Sequence, residues 1–428
     1  MPKGRVLADL TPLRESRDYR LMFIGQVTSN IGRQVTVVAI PIQVFDITHS
    51  SLAVGLVGLA SLPPLIGFSL ASGALSDAFD RRRLLLLMQF LAAATSVALA
   101  LNASLGRPAL WPLYLFGALS AGFSGADMQT RNAIAPRLVR REIFPAAAAL
   151  TQIVWQVGFV VGPSLAGLVI GRVSVAAAYW IDVGTFAVAF LTALAMRPLP
   201  PEGGGTRAGL ASVVEGLRFL RGKRVLVSTF TIDIDAMVFG MPSALFPALG
   251  TSVFGGGPQT IGLLYAAPGA GALVAALLSG WVSGVRRQGR AVIVAVVGWG
   301  VAIAAFGVAT WLPLALVLLA VAGAADVVSA VFRNTILQVS VPDAFRGRLS
   351  GVHIAVVASG PRLGDAEAGA VATLATPRIS VVSGGLACVA GALVIARLVP
   401  EFARYDATEA PVYSADSPVE GTKGELHG

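Results

Sequence analysis

From residue 20 to residue 399 the chain is a succession of apolar runs joined by short polar connections, each run long enough to cross a lipid bilayer as a helix. A crossing helix needs about 20 predominantly apolar residues. Twelve runs meet that length, approximately at 20–46, 52–75, 84–102, 111–134, 146–170, 174–196, 225–249, 260–284, 291–310, 313–335, 349–373 and 378–399. Together they need roughly 240 residues, which a chain of 428 accommodates. A transmembrane β-barrel would instead alternate polar and apolar residues over strands of about 10, and these runs do not alternate. Charged residues make up 13% of the chain against 55% apolar, about half the charged fraction of a soluble domain, which excludes a soluble enzyme. The fold expected is an all-α membrane protein of twelve transmembrane helices.

The formal charge of +9 would suggest nucleic acid as a partner of a soluble protein, but here the placement of the charges matters more than their sum. Of the 32 basic residues, 25 fall in the N-terminal segment, the connections after even-numbered runs and the tail; Arg107, Arg172 and Arg378 lie on the opposite side. The positive-inside rule then places both termini in the cytoplasm, with no nucleic-acid partner. The polar segment 1–20 runs into the first apolar run without an A-x-A-like site, so a retained helix is expected rather than a cleaved signal. Cys388 is the single cysteine and lies in the last run, which leaves no disulfide framework and no cysteine metal site.

The two halves repeat. A slide of 207 residues lays 54–83 over 261–290 without a gap, matching Gly55 with Gly262, Leu56 with Leu263, Ser72 with Ser279, Gly73 with Gly280 and Arg83 with Arg290 among eight identities. Run 2 thereby lands on run 8, as a duplicated six-helix unit requires. The organisation expected is a cytoplasmic segment 1–19, a six-helix bundle 20–196, a cytoplasmic linker 197–224, a second bundle 225–399 and a disordered cytoplasmic tail 400–428. In the linker, Leu210, Val213, Val214, Leu217 and Leu220 recur at helical spacing opposite Arg207, Glu215 and Arg218, which predicts a short amphipathic helix on the membrane surface.

After run 2 the chain reads GALSDAFDRRR, carrying Gly73, Asp77, Asp80, Arg81 and Arg82. A glycine permits close helix packing, and an acidic and basic cluster at a helix end can cap a neighbouring helix and pair across the halves; a plain positive-inside loop is the simpler alternative. The stretch resembles the loop motif G-x-L-x-D-R-x-G-R-R of the major facilitator superfamily, with Ala78 in place of its first arginine and Asp80 in place of its second glycine. Run 5 carries GFVVGPSLAG, with Gly158, Gly162, Pro163 and Gly167, and is similar to the helix-5 packing motif of drug and proton antiporters, although Ala166 replaces one glycine; generic small-residue packing is the alternative. IPIQVFDITHSSLAVGL at 40–56, ALFPAL at 244–249, IGLLYAA at 261–267 and PDAFRGRLSG at 342–351 resemble the enterobactin exporter and multidrug efflux branch of that superfamily. The resemblance implies two pseudo-symmetric six-helix bundles, efflux through the inner membrane, and a conformational latch in which Asp77 and Arg81 hold the halves in one state.

Ionisable side chains at bilayer depth cost about 3 kcal/mol or more, so each needs a partner, a wet cavity or a function. Arg33 in run 1, Asp233 and Asp235 in run 7 and Arg362 in run 11 lie near one depth, and in the resembled fold runs 1, 4, 7 and 10 line a central cavity. Asp233 and Asp235 point about 200° apart, so one faces substrate and the other a neighbouring helix; Asp235, nearer the centre, is the favoured proton carrier. Arg362 and Asp365 are spaced to pair on one helical face, with Glu367 directed elsewhere, and Gly360-Pro361 is expected to break the helix locally. Asp127 with Arg131, counted with the latch, and Asp326 with Arg333 are expected to be structural, as gating pairs or as arginines snorkelling to the interface. Asp182 is expected to reach interfacial water, and His353 to be solvated.

No Walker loop, H-E-x-x-H or cysteine cluster is present, and Gly269-Ala270-Gly271 falls inside run 8. No cofactor and no metal are expected. The function expected is secondary export of a small amphipathic molecule, a siderophore or drug-like compound, by alternating access, with protons as the driving ion and the protein a monomer. A nutrient importer of the same fold and a non-transporting receptor or scaffold are the alternatives.

Overall fold

A computed structural model describes residues 9–200 and 210–407. Twelve long helices run through the described residues: α1 (Arg17–Thr48), α2 (Ser51–Ala78), α3 (Arg81–Ala103), α4 (Trp111–Leu138), α5 (Phe144–Arg172), α6 (Val175–Leu194), α7 (Arg224–Phe239), α8 (Pro258–Leu277), α9 (Gln288–Val308), α10 (Leu312–Ser340), α11 (Asp343–Leu374) and α12 (Pro377–Leu398). Several of their starts follow from side-chain capping, in which a hydroxyl or carboxylate satisfies an orphan backbone N–H. Ser16 accepts from Tyr19 N, Asp80 from Arg83 N, Ser174 from Ala177 N and Thr376 from Ile379 N, all at 3.1–3.2 Å.

Among the described residues, nine spans are long and apolar enough to cross a membrane. The long helices outside that set are α1, α4 and α11. These carry Arg33, Asp127 with Arg131, and Arg362 with Asp365 and Glu367. Polar residues that a bilayer disfavours are thus concentrated in helices that must shield them with protein.

The chain forms two compact units. The first comprises Met1–His49, Ala60–Arg207 and Gly255–Ala266; the second comprises Ser50–Leu59, Ala208–Phe254 and Ala267–Gly428. Within the first, α1 packs on α5 and α6, and α3 packs on α4 and α6. Within the second, α7 packs on α11 and α12, and α9 packs on α10 and α12. The contacts repeat at a spacing of six helices, the architecture of a duplicated bundle. The units exchange short stretches: the first turns of α2 belong to the second unit and those of α8 to the first. Glycines make both exchanges possible. A Cβ on Gly55 would strike the Asp365 carbonyl, and one on Gly262 would lie 2.5 Å from the Pro163 carbonyl.

Several local expectations need correction. Helix α11 runs unbroken through Gly360 and Pro361; α7 supports it there, since a Cβ on Gly360 would lie 2.8 Å from Met237 and one on Gly364 would meet the Met237 carbonyl. The break occurs instead after α7, where the Trp299 indole N–H donates to the Gly240 carbonyl at 2.8 Å and the span resumes as Ser243–Leu245 and Phe246–Ser252. Run 8 ends its regular helix at Leu277 and continues as a 3-10 segment, Ser279–Gly284. The linker helix forms at Leu210–Leu220, but it buries Gly216, Phe219 and Leu220, with Phe219 stacked on Phe345 of α11 at 4.3 Å. Val214 and Leu217 of the aliphatic stripe remain exposed, uncovered by protein as a face turned to the membrane surface would be. Order persists past 400: Phe402 is fully buried, Tyr405 shares a 2.5 Å hydrogen bond with Ser340, and Arg287 bridges to Asp406. The rest of the tail, the first eight residues and Arg207 of the linker lie outside the described residues.

Candidate functional site

In the first unit the polar groups of α1 and α4 converge. Asp127 and Arg131, one helical turn apart, pair at 2.8 Å with both side chains buried, and Arg131 also donates to the Met22 carbonyl at 3.1 Å. Arg33 donates to Asn30 at 2.6 Å and lies over the Trp155 ring of α5, 4.7 Å from its centroid. Asn30 is fixed in turn by donating to the Val154 carbonyl at 3.0 Å. These side chains line a small pocket shared by α1, α4 and α5, with Gln26, Ser29 and Asn132. Two guanidinium groups face one carboxylate there, so the pocket is net cationic. Arg131 Nη2 and Asp127 Oδ1 are buried without a hydrogen-bond partner, which leaves a donor and an acceptor for whatever enters.

The glycines of α5 make this approach possible. Gly158 faces the Asn30 amide and Gly162 faces Gln34, both on α1, whereas Gly167 faces Pro258 and Gly262 at the start of α8. Pro163 is buried within the continuous helix. The run-5 motif is thus a packing surface that seats the polar residues of α1.

Asp182 is placed differently from its expectation. Far from reaching interfacial water, it is 0% exposed and its Oδ2 accepts hydrogen bonds from Thr36 of α1 and Ser96 of α3, both at 2.7 Å. Burial removes an isolated carboxyl from water only where donors replace it, and neighbouring helices supply them here. Asp80 also acts locally: it caps α3 and accepts from Leu199 N at 3.0 Å. Arg81 donates to the Ala133 carbonyl at 2.8 Å, and Arg82 to the Ala193 carbonyl at 3.1 Å and to the Leu194 carbonyl. These arginines sit at the carbonyl ends of α4 and α6, where positive charge is favourable. Gly73 and Asp77 fall outside the residues whose side-chain surroundings are described.

In the second unit Asp233 pairs with Arg333 of α10 at 2.7 Å, a contact set by charge more than by hydrogen-bond alignment, and both are buried. Arg333 also donates to Ser329 at 2.8 Å. The expected Asp326–Arg333 pair is therefore replaced by one between helices, and among the described residues Asp326 has no ion-pair partner. Asp235 points to α12, where its carboxylate occupies the space a Cβ on Gly391 would need, and its Oδ2 is buried without a partner. Arg362 and Asp365 do not pair. Arg362 donates to the Ala358 carbonyl at 2.6 Å, while Asp365 accepts from Ser243 at 2.5 Å and from Ala244 N at 2.9 Å, capping the 3-10 turn that resumes after α7. Glu367 is half-buried. His353 is half-buried with its ring edge toward Phe230 rather than solvated. Among the described residues no three His, Cys, Asp or Glu side chains converge to hold a metal ion.

The family model described as a transmembrane secretion effector matches residues 7–420. The enterobactin exporter EntS of Shigella flexneri is 30% identical over 419 residues, covering 97% of this chain and 100% of its own length. The protein of the same name from Escherichia coli O139:H28 is 29% identical over the same shares of both chains. Among solved structures, a POT family transporter in complex with 5-aminolevulinic acid has a TM-score of 0.72 at 12% identity, over 90% of this chain and 97% of that one. The nucleoside transporter NupG has a TM-score of 0.69 at 12% identity, over 91% of this chain and 100% of that one. At those identities the likeness is one of fold.

Proposed function

Because the chain belongs to the transmembrane secretion effector family of the major facilitator superfamily, and so is a multi-pass inner-membrane transporter and not an enzyme, we propose that it exports a small anionic, aromatic molecule of the siderophore class by alternating access in exchange for protons. The observation that carries this is the Arg33 guanidinium over Trp155, opening on the same pocket as the buried Asp127–Arg131 pair. A cation backed by an aromatic face suits a negatively charged ring, which gains charge-assisted hydrogen bonds at its oxygens and stacking at its face. The relatives' name supports a catecholate cargo.

Proton exchange needs a carboxyl that can gain and lose charge. Asp233 is committed to Arg333, whereas Asp235 keeps a buried oxygen without a partner, which favours Asp235 as the coupling acid. The six-helix bundles 20–196 and 225–399 would be the moving bodies, joined by a cytoplasmic linker, with both termini cytoplasmic and the monomer as the functional form. Arg362 and Glu367 would contribute to the substrate path from α11, with Asp365 holding the turn after α7. The loop residues Asp77, Asp80, Arg81 and Arg82 would serve the conformational latch.

Inverted membrane vesicles with an acidic interior test the proposal directly. Enterobactin added outside should accumulate in vesicles carrying the protein, and dissipating the pH gradient should stop it. Arg33→Gln should weaken accumulation about tenfold, the loss of one charge-assisted contact. Vesicles that accumulate neither enterobactin nor a simple catecholate would remove this substrate class.

A further inference from the structure

We propose that Asp182 is an exchangeable proton site in the first compact unit, separate from the helix-7 acids. Its surroundings are made for a carboxyl group but not for a permanent ion. The side chain is 0% exposed. Its hydrogen-bond donors are all neutral hydroxyls: Thr36 and Ser96 at 2.7 Å on Oδ2, and Thr185 at 3.5 Å on Oδ1. Among the described residues no lysine, arginine or histidine forms an ion pair with it. A fully buried carboxylate without a cationic partner is costly, whereas a neutral acid in a hydroxyl cradle can donate as well as accept.

The charged and titratable groups facing the cradle are few. From α1, Arg33 acts on Asp182 electrostatically. From α3 only the Ser96 hydroxyl reaches it. On α6 itself Tyr179 lies one turn away, donating to Gln43 at 2.8 Å. Helix α5, which also packs on α6, carries one charged residue, Arg172, at its last position.

Two features make the proton exchangeable. Thr36 lies three residues from Arg33, so the two share a face of α1 and the hydroxyl leads from the acid towards the pocket that Arg33 lines. Gly32 leaves room for the acid at that helix, since a Cβ there would stand 2.6 Å from Asp182 Oδ1. When nothing neutralises Arg33, its charge supports the carboxylate. When an anion sits on Arg33, that support is cancelled and Asp182 takes up a proton, a linkage opposite in sign to exchange, so this site is not the acid that trades protons for cargo. The proton occupancy of Asp182 is thereby linked to the charge state of the pocket. The site itself does not depend on the export reading, since its protonation can be read without any transported substrate.

Infrared difference spectroscopy of the full-length protein in detergent, titrated with pH in ordinary and heavy water, reads the acid directly. Wild type minus Asp182→Asn should contain a protonated-carboxyl C=O band that disappears as pH rises and shifts in heavy water. In Arg33→Gln the band should persist to higher pH by about one unit, the effect of losing a nearby positive charge. Ser96→Ala, which keeps the acid but removes one donor, should move the band's frequency without abolishing it. A band absent at every pH would mean a permanent carboxylate, and a band unchanged across the range would mean a structural acid; either overturns the proposal. If Asp182→Asn does not fold, the titration of wild type against Arg33→Gln decides alone: a pH-dependent band that Arg33→Gln leaves where it was overturns it as well.

Discussion

Asp233 and Asp235 are two residues apart on one helix yet meet different partners: the first reaches Arg333 of α10 at 2.7 Å, and the second lies against the Gly391 backbone of α12. The divergence separates two settings within a single turn, an ion pair that holds α7 to α10 and an acid with a buried oxygen left without a hydrogen-bond partner.

Removing one member of the Asp233–Arg333 pair leaves an unneutralised buried charge. Asp233→Asn should destabilise the protein by about 3–5 kcal/mol, and Asp233→Asn combined with Arg333→Gln should recover much of that loss. Thermal unfolding in detergent of both single variants and the double variant measures it; equal loss in single and double variants would mean that the pair does not couple the helices.

Asp235→Asn removes the unpartnered carboxyl without disturbing the ion pair next to it. Its expected signature is selective. Substrate exchange without a gradient should persist, while accumulation driven by the pH gradient should fall to the level of vesicles lacking the protein. Undiminished gradient-driven accumulation would direct attention to another acid.

The Gly158 surface on α5 is occupied by the Asn30 amide, which in turn orients Arg33. Gly158→Val should push Asn30 from its bond to Val154, at a cost of about 1–3 kcal/mol for overpacking. Substrate affinity should weaken along with stability, because Arg33 loses its acceptor. Gly184→Ala, at a helical position with open space around it, is the control and should leave affinity unchanged and melting equal or slightly higher.

Asp80 caps α3 and also ties Leu199 to its start. Asp80→Ala should cost about 1 kcal/mol, as a lost cap does; Asp80→Asn should retain most of the stability. A drop in melting temperature for the alanine but not the asparagine variant is the expected pattern.

The helices and their duplication were legible in the sequence because bilayer thickness fixes a length and a repeat fixes a register. Asp127 with Arg131 was legible for a similar reason: a spacing of four places two side chains on one face. What escaped was every relation that depends on which face meets which neighbour. Nothing near Asp182 in the chain indicates that Thr36 and Ser96 will reach it, since both hydroxyls come from other helices. The spacing of Arg362 and Asp365 permitted a pair, but Ser243 and the backbone at Ala244 compete for the aspartate and win. Pro361 has the sequence of a helix breaker, yet α11 is continuous through it, with the α7 backbone packed against Gly364. Trp155 gave no signal at all in an apolar run, because an aromatic facing lipid and one facing an arginine read alike in one dimension.

The stretches that α2 and α8 lend to the opposite units bear on how such a protein could be divided or assembled. A cut anywhere in the linker would leave each fragment holding a piece of the other's core: the fragment ending before the cut would expose the Pro163–Gly167 face of α5, and the remainder would lack the first turns of α2 that cover α11 at Asp365. Neither fragment is a complete folding unit.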